Sequence, residues 1–197
     1  LYIGMFHWAE MSNDQKAADF LMQVGKGQKW GLLSRSYHAD DICVGQMYIE
    51  MYKKHNEEKM IQPLKERAFY VASHPSDAVL SKRDPIGKYS RWSWCDALFM
   101  APPVYAGLYT LTGEKVYKDY LMSEYKACTD SLYDHDESLY YRDGLRIGVP
   151  EPNGAKQFWG RGNGWVFGGL PLVLNNLPPD DPDRAYFIEI FKEMADA

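Results

Sequence analysis

One unit recurs along this chain and limits its fold more than any single motif: an amphipathic helix, a short turn and a second amphipathic helix. Residues 42–54 carry Val44, Met47, Tyr48, Met51 and Tyr52 at helical spacing, and residues 60–72 supply the partner. The next copy starts near Asp96 with Phe99, Val104, Tyr105, Leu108 and Tyr109. It turns at Thr112-Gly113-Glu114 and resumes over residues 116–128. Tyr48 with Tyr52 and Tyr105 with Tyr109 hold equivalent places in the two copies. Residues 164–174, a turn at Pro178-Pro179-Asp180-Asp181 and residues 184–195 make another. Residues 1–10, a turn at Ser12-Asn13-Asp14 and residues 17–25 make the first.

Hairpins repeated with long loops between them predict an all-α chain in which the hairpins ring a common axis, an α/α toroid. The loops then gather on the face where the inner helices begin. Six such hairpins need roughly 300 residues or more, so 197 residues predict an incomplete six-hairpin barrel. It reads as a single domain over residues 1–197, truncated at both ends. Pro102-Pro103 is tolerated only in a first turn, which predicts a helix beginning at Pro103 or a kink there. The connecting segments 26–41, 73–95 and 129–163 are long, and loops of that length usually carry function. Within the last of them, Leu139-Tyr140-Tyr141-Arg142 suits a short strand.

Charge and composition narrow the partners. The chain has 22 basic and 27 acidic residues, so it lacks the basic footprint of a nucleic-acid binder. An anionic ligand would need local arginine or lysine. No apolar run is long enough to cross a bilayer; residues 166–174 are few and include Gly and Pro. Cys43, Cys95 and Cys128 show no paired spacing and read as reduced core thiols. The chain opens on Leu1, so a missing true start is expected and its compartment stays open.

Chemistry concentrates in a few places. In Phe158-Trp159-Gly160-Arg161-Gly162-Asn163-Gly164-Trp165 two indoles flank an arginine among three glycines. A planar guanidinium and flat apolar faces suit a flat, acidic ligand such as a uronic-acid sugar. The alternative is a helix-connecting loop whose tryptophans are core. Acids stand at three loop-to-helix junctions: Tyr37-His38-Ala39-Asp40-Asp41, Trp92-Ser93-Trp94-Cys95-Asp96 and Asp134-His135-Asp136-Glu137. Asp41 reads as a helix cap. Asp96 is either a cap or a general acid, because Trp92, Trp94, Phe99 and Met100 crowd it and desolvation raises a carboxyl pKa. The third cluster reads as a solvated turn. His38 with Asp40 and Asp41 lacks a second histidine, so no metal is expected. The glycine spacing fits neither a dinucleotide fingerprint nor a P-loop, and no cofactor is expected.

Three motifs in this order resemble the unsaturated rhamnogalacturonyl hydrolases, glycoside hydrolase family 105, and the related unsaturated glucuronyl hydrolases of family 88. They are His38-Ala39-Asp40-Asp41 with Gly45, then residues 94–102 from Trp94-Cys95-Asp96 to Pro102, then residues 158–165. The resemblance covers nearly the whole chain. It implies a six-hairpin α/α barrel that takes an oligosaccharide ending in a 4,5-unsaturated galacturonyl residue. Such enzymes hydrate the C4=C5 double bond instead of attacking the anomeric carbon. By motif position Asp96 matches the catalytic acid/base and Asp40 a second acid of the site. Trp159, Arg161 and Trp165 match residues that hold the unsaturated sugar, with His38 and Trp94 joining the binding set. A histidine that some relatives place before the third motif has no counterpart in register; His135 is displaced and Tyr133 lies closer. Two other readings stay open: an inverting glycosidase using Asp40 and Asp96 on saturated sugars, and a non-catalytic carbohydrate-binding protein.

Overall fold

The computed structural model describes residues 1–80 and 90–197, and part of the expected loop over 73–95 falls outside them. Four helical hairpins are found among the described residues. The first pairs α1 (Tyr2–Ser12) with α2 (Gln15–Gly27). Asn13, at φ 54°, ends α1, and the Asp14 carboxylate then caps α2 by accepting from the backbone of Lys16 and Ala17. The second hairpin follows a single turn, α3 (Ala39–Ile42), and comprises α4 (Gly45–His55) and α5 (Gln62–Ser73). The third follows another single turn, α6 (Ala97–Met100), and comprises α7 (Pro102–Thr112) and α8 (Lys115–Leu132). The fourth joins α9 (Gly160–Asn176) to α10 (Arg184–Asp196). Between α8 and α9 lies a small antiparallel hairpin, β1 (Tyr133–Asp134) with β2 (Leu139–Tyr140), as residues 139–142 suggested.

The hairpins form an arc. Helices α1, α4, α7 and α9 pack side by side as its inner layer, and α5 and α8 meet on the outside. This is the arrangement of an α/α toroid. Tyr48 and Tyr105 are both buried, confirming the equivalence read from the repeat. Tyr48 meets the Trp30 ring at 5.2 Å, and Tyr105 meets Tyr120 at 4.8 Å. Met47, Ile49, Val104, Leu108, Val166, Leu170 and Val173 fill the space between the inner helices and their neighbours. Burying side chains of this size stabilises the fold by about 1.5–3 kcal/mol each.

Two local expectations are corrected. The acids of residues 38–41 were placed ahead of a helix, but Asp40 and Asp41 lie inside the turn α3. The helix of the fourth hairpin was placed from residue 164, whereas α9 begins at Gly160, so the glycine-rich segment is helical. Glycine costs a helix about 1 kcal/mol relative to alanine, and here packing overrides that cost. A Cβ at Gly162 would stand 2.4 Å from the Trp159 ring and 2.7 Å from Cys95 Sγ. One at Gly169 would stand 2.7 Å from the Leu98 carbonyl oxygen. The glycines let α6 lie directly on α9. Proline behaves as expected, with α7 starting at Pro102, one residue before the position predicted.

Candidate active site

Asp96 reaches its position through the chain on either side of it. Upstream, the Arg91 guanidinium grips the buried Glu124 carboxylate of α8 at 2.8 Å. Trp92 then packs against both Tyr105 and Tyr120. The Cys95 N–H donates to the Arg142 carbonyl at 2.9 Å, tying this segment to the chain that leaves β2. Asp96 follows immediately before α6, which packs against α3 on one side and α9 on the other. Its side chain makes no capping bond, so the capping alternative falls. Oδ1 is buried and has no hydrogen-bond partner among the described residues. Burial pushes the Asp96 pKa from 3.8 to about 6. Its own backbone N–H, Arg161 and Arg142 pull it down, while Asp40 pushes it up.

The turn α3 presents Asp40 and His38. His38 Nδ1 accepts from the Asp40 N–H at 3.2 Å, so the histidine caps the turn. Its ring lies 5.0 Å from Trp94, and burial holds its pKa below the ordinary value. Asp41 does not cap. It is 2% exposed and is clasped by Arg35, through Nη2 at 2.5 Å and the backbone N–H at 2.8 Å. Burial alone would raise the Asp41 carboxyl, yet Arg35 brings it below its usual value. Asp40 is half exposed and lines a cavity of about 620 Å³ with Val24, Leu32 and Tyr48.

The first turns of α9 supply the cationic wall. The Arg161 guanidinium lies over the Trp159 ring, 4.7 Å from its centroid. Both line a cleft of about 460 Å³ together with Arg142, Arg146, Gln157 and Phe158. Trp165 does not line this cleft and tilts against Phe99 of α6 at 4.7 Å. Asn163, Arg142 and Arg146 were not singled out from sequence. The Asn163 amide donates to the carbonyls of Tyr140 at 2.9 Å and Trp159 at 3.2 Å. It fastens β2 to α9. Arg142 sits where this fastening delivers it, three residues past Leu139, and nothing local marks it.

Asp96, Asp40, Arg161 and Arg142 therefore share one electrostatic environment, and His38 touches Trp94. Asp96 lines neither the cavity at Asp40 nor the arginine cleft; it stands at the start of α6, which contacts both α3 and α9. Tyr133 and His135 pack edge to face at 5.0 Å, and the Tyr133 hydroxyl donates to Glu193. The third acid cluster is only partly a solvated turn: Asp136 is exposed, but Asp134 accepts from Lys156 at 2.8 Å and from the Tyr141 hydroxyl at 3.0 Å. A carboxyl that still holds its proton in part near pH 6, within reach of the Arg142 and Arg161 charges, can deliver a proton to an anionic substrate.

Known proteins match this chain in family and in fold. The Glycosyl Hydrolase Family 88 model matches residues 1–197. An unsaturated 3S-rhamnoglycuronyl hydrolase of Alteromonas sp. (strain LOR) is 34% identical over 206 residues, covering 99% of this chain and 50% of that protein. A solved polysaccharide lyase superposes with a TM-score of 0.87 at 26% identity, over 99% of this chain and 57% of that one. A glycosyl hydrolase family 88 structure from Bacteroides vulgatus gives 0.84 at 26% identity, over 98% and 57%. The chain thus spans about half the length of the relatives it matches. Among the described residues no helix is long and apolar enough to cross a membrane.

Proposed function

The chain belongs to glycosyl hydrolase family 88, and on that premise we propose that it carries the acid/base centre of a hydrolase for unsaturated uronyl oligosaccharides. The residue removed is a 4,5-unsaturated uronyl sugar at the non-reducing end. Asp96 protonates C4, and water adds at C5 and returns its proton to the Asp96 carboxylate. The resulting hemiketal opens and releases the remaining saccharide. Asp40 orients the substrate or the water, and Arg161 pairs with the uronate carboxylate, a contact suited to its fork. Trp159, Trp94 and His38 complete the walls, and Trp165 backs α6 through Phe99.

One observation carries this reading: Asp96 Oδ1 is buried without a hydrogen-bond partner among the described residues, and burial pushes the carboxyl pKa up to about 6. An enol-ether carbon needs a neutral acid as proton donor, and an ordinary exposed aspartate is ionised near neutrality. We assign the substrate to unsaturated galacturonyl ends of rhamnogalacturonan oligosaccharides. The double bond erases the configuration at C4, so galacturonyl and glucuronyl precursors give the same unsaturated residue. Selectivity then rests on the leaving sugar, and the Alteromonas relative's name supports rhamnose there.

The test adds the full-length protein to lyase-treated rhamnogalacturonan and follows the enol-ether absorbance. Loss of absorbance in the wild type, abolished in Asp96→Asn, supports the proposal; undiminished loss in the variant ends it. The lyase neighbour motivates a second reading with the opposite sign, in which absorbance rises on intact polysaccharide. A carbohydrate-binding protein would change neither.

A further inference from the structure

The turn α6 ends in a difficulty that its own sequence creates. Helical carbonyls are satisfied by N–H groups three or four residues on. For Phe99 and Met100 those positions include Pro102 and Pro103, which have no N–H. The Val104 N–H goes instead to the Ala101 carbonyl at 3.0 Å. Carbonyls shielded from water and left without donors destabilise a fold. The missing donor comes from another hairpin. Gln46, on the first turn of α4, places Nε2 at 2.7 Å from the Phe99 carbonyl and 3.0 Å from the Met100 carbonyl. Gln46 is 4% exposed, and its own Oε1 is buried without a partner among the described residues. An acceptor left unsatisfied is a cost that the bonds donated to the two carbonyls, with a longer one to Cys43 Sγ at 3.8 Å, must outweigh.

We infer that Gln46 is a positioning residue for the active-site acid: by holding the end of α6, it fixes where the turn presents Asp96 between α3 and α9. The inference rests on the role proposed for Asp96. Other supports of this turn include the Cys95–Arg142 backbone bond at its start, the close contact with Gly169 on its flank and the Phe99–Trp165 ring contact. Gln46 is the side-chain clamp at its far end. Loosening that end admits water around Asp96 without altering Asp40, Arg142 or Arg161, the charged groups that face it.

The test uses Gln46→Met, which keeps the volume and removes the donor, in the full-length protein. Its readouts are the carbon-13 titration of the Asp96 carboxyl and the split between kcat and KM. The expected result is a folded variant whose Asp96 midpoint falls by at least about one pH unit toward the ordinary value, with kcat down about tenfold and KM within twofold. A folded variant with the wild-type midpoint and kcat overturns the inference. Should Gln46→Met fail to fold, the unsubstituted protein decides. The Gln46 side-chain amide resonances should move through the Asp96 midpoint, and resonances that stay fixed overturn the inference. Because titration needs no turnover, this outcome is separate from the Asp96→Asn activity test.

Discussion

Asn163 accepts from the Tyr140 N–H at 2.7 Å and donates to the Tyr140 carbonyl at 2.9 Å, so one side chain on α9 acts as a strand partner to β2. Both atoms of Tyr140 are buried with the residue, which is 0% exposed. Asn163→Leu removes both bonds and should cost about 3 kcal/mol, the penalty for orphaning a buried donor and acceptor together. Urea denaturation checks this, and a loss below about 1 kcal/mol would mean that the hairpin finds other partners.

Asp96 should cost the protein stability at neutral pH. Its folded pKa of about 6 lies above the unfolded 3.8, so the folded state holds the proton more tightly. Below pH 4 the group is protonated in both states. Between pH 4 and 6 stability is lost, and above pH 6 the full loss persists. Asp96→Asn removes the charge, so the variant should be more stable than wild type at pH 8 by about 2 kcal/mol, allowing for partial solvent contact, and no more stable at pH 4. Chemical denaturation at the two pH values reads the difference directly.

The rate should follow the same proton. With Asp96 as acid, kcat/KM should fall above about pH 6, tenfold per pH unit. Arg142 holds that pKa down, so Arg142→Met should shift the descending limb to higher pH. A shift to lower pH, or a profile flat from pH 5 to 8, would contradict the arrangement.

Glycines within one helix should respond oppositely to alanine. At Gly162 the new methyl meets the Trp159 ring and Cys95 Sγ, whereas at Gly164 nothing lies within 4 Å. Overpacking costs about 1–3 kcal/mol, while relieving glycine's helical penalty contributes about 1 kcal/mol. Gly162→Ala should therefore lower the melting temperature and Gly164→Ala should raise it. Equal shifts would show that α6 does not bear on α9 as closely as described.

The hairpins were legible in sequence because burial of Tyr48 and Tyr105 follows from helical spacing alone. Asp96 stood out because its aromatic neighbours are adjacent in the chain. Other features depended on contacts that no local pattern contains. Asp41 resembled a cap because Arg35, its actual partner, lies in an irregular loop with no period to reveal it. The segment from Gly160 looked like a loop because glycine's helix propensity is poor, and only its contact with α6 explains the choice. Gln46 acts on carbonyls of another hairpin, and Asn163 on a strand that precedes its helix by twenty residues. Propensity read the scaffold, and packing decided the fittings.

Cys95 lies between Gly162 and the acid it precedes, fully buried, its thiol pushed up to about 12 by burial. A sulfur so placed is inert toward alkylating agents while the two helices stay in contact. Each labelling event at Cys95 must then record a moment when they separate. The native chain thus carries its own chemical clock for how often the turn beside Asp96 breathes, with no foreign probe attached.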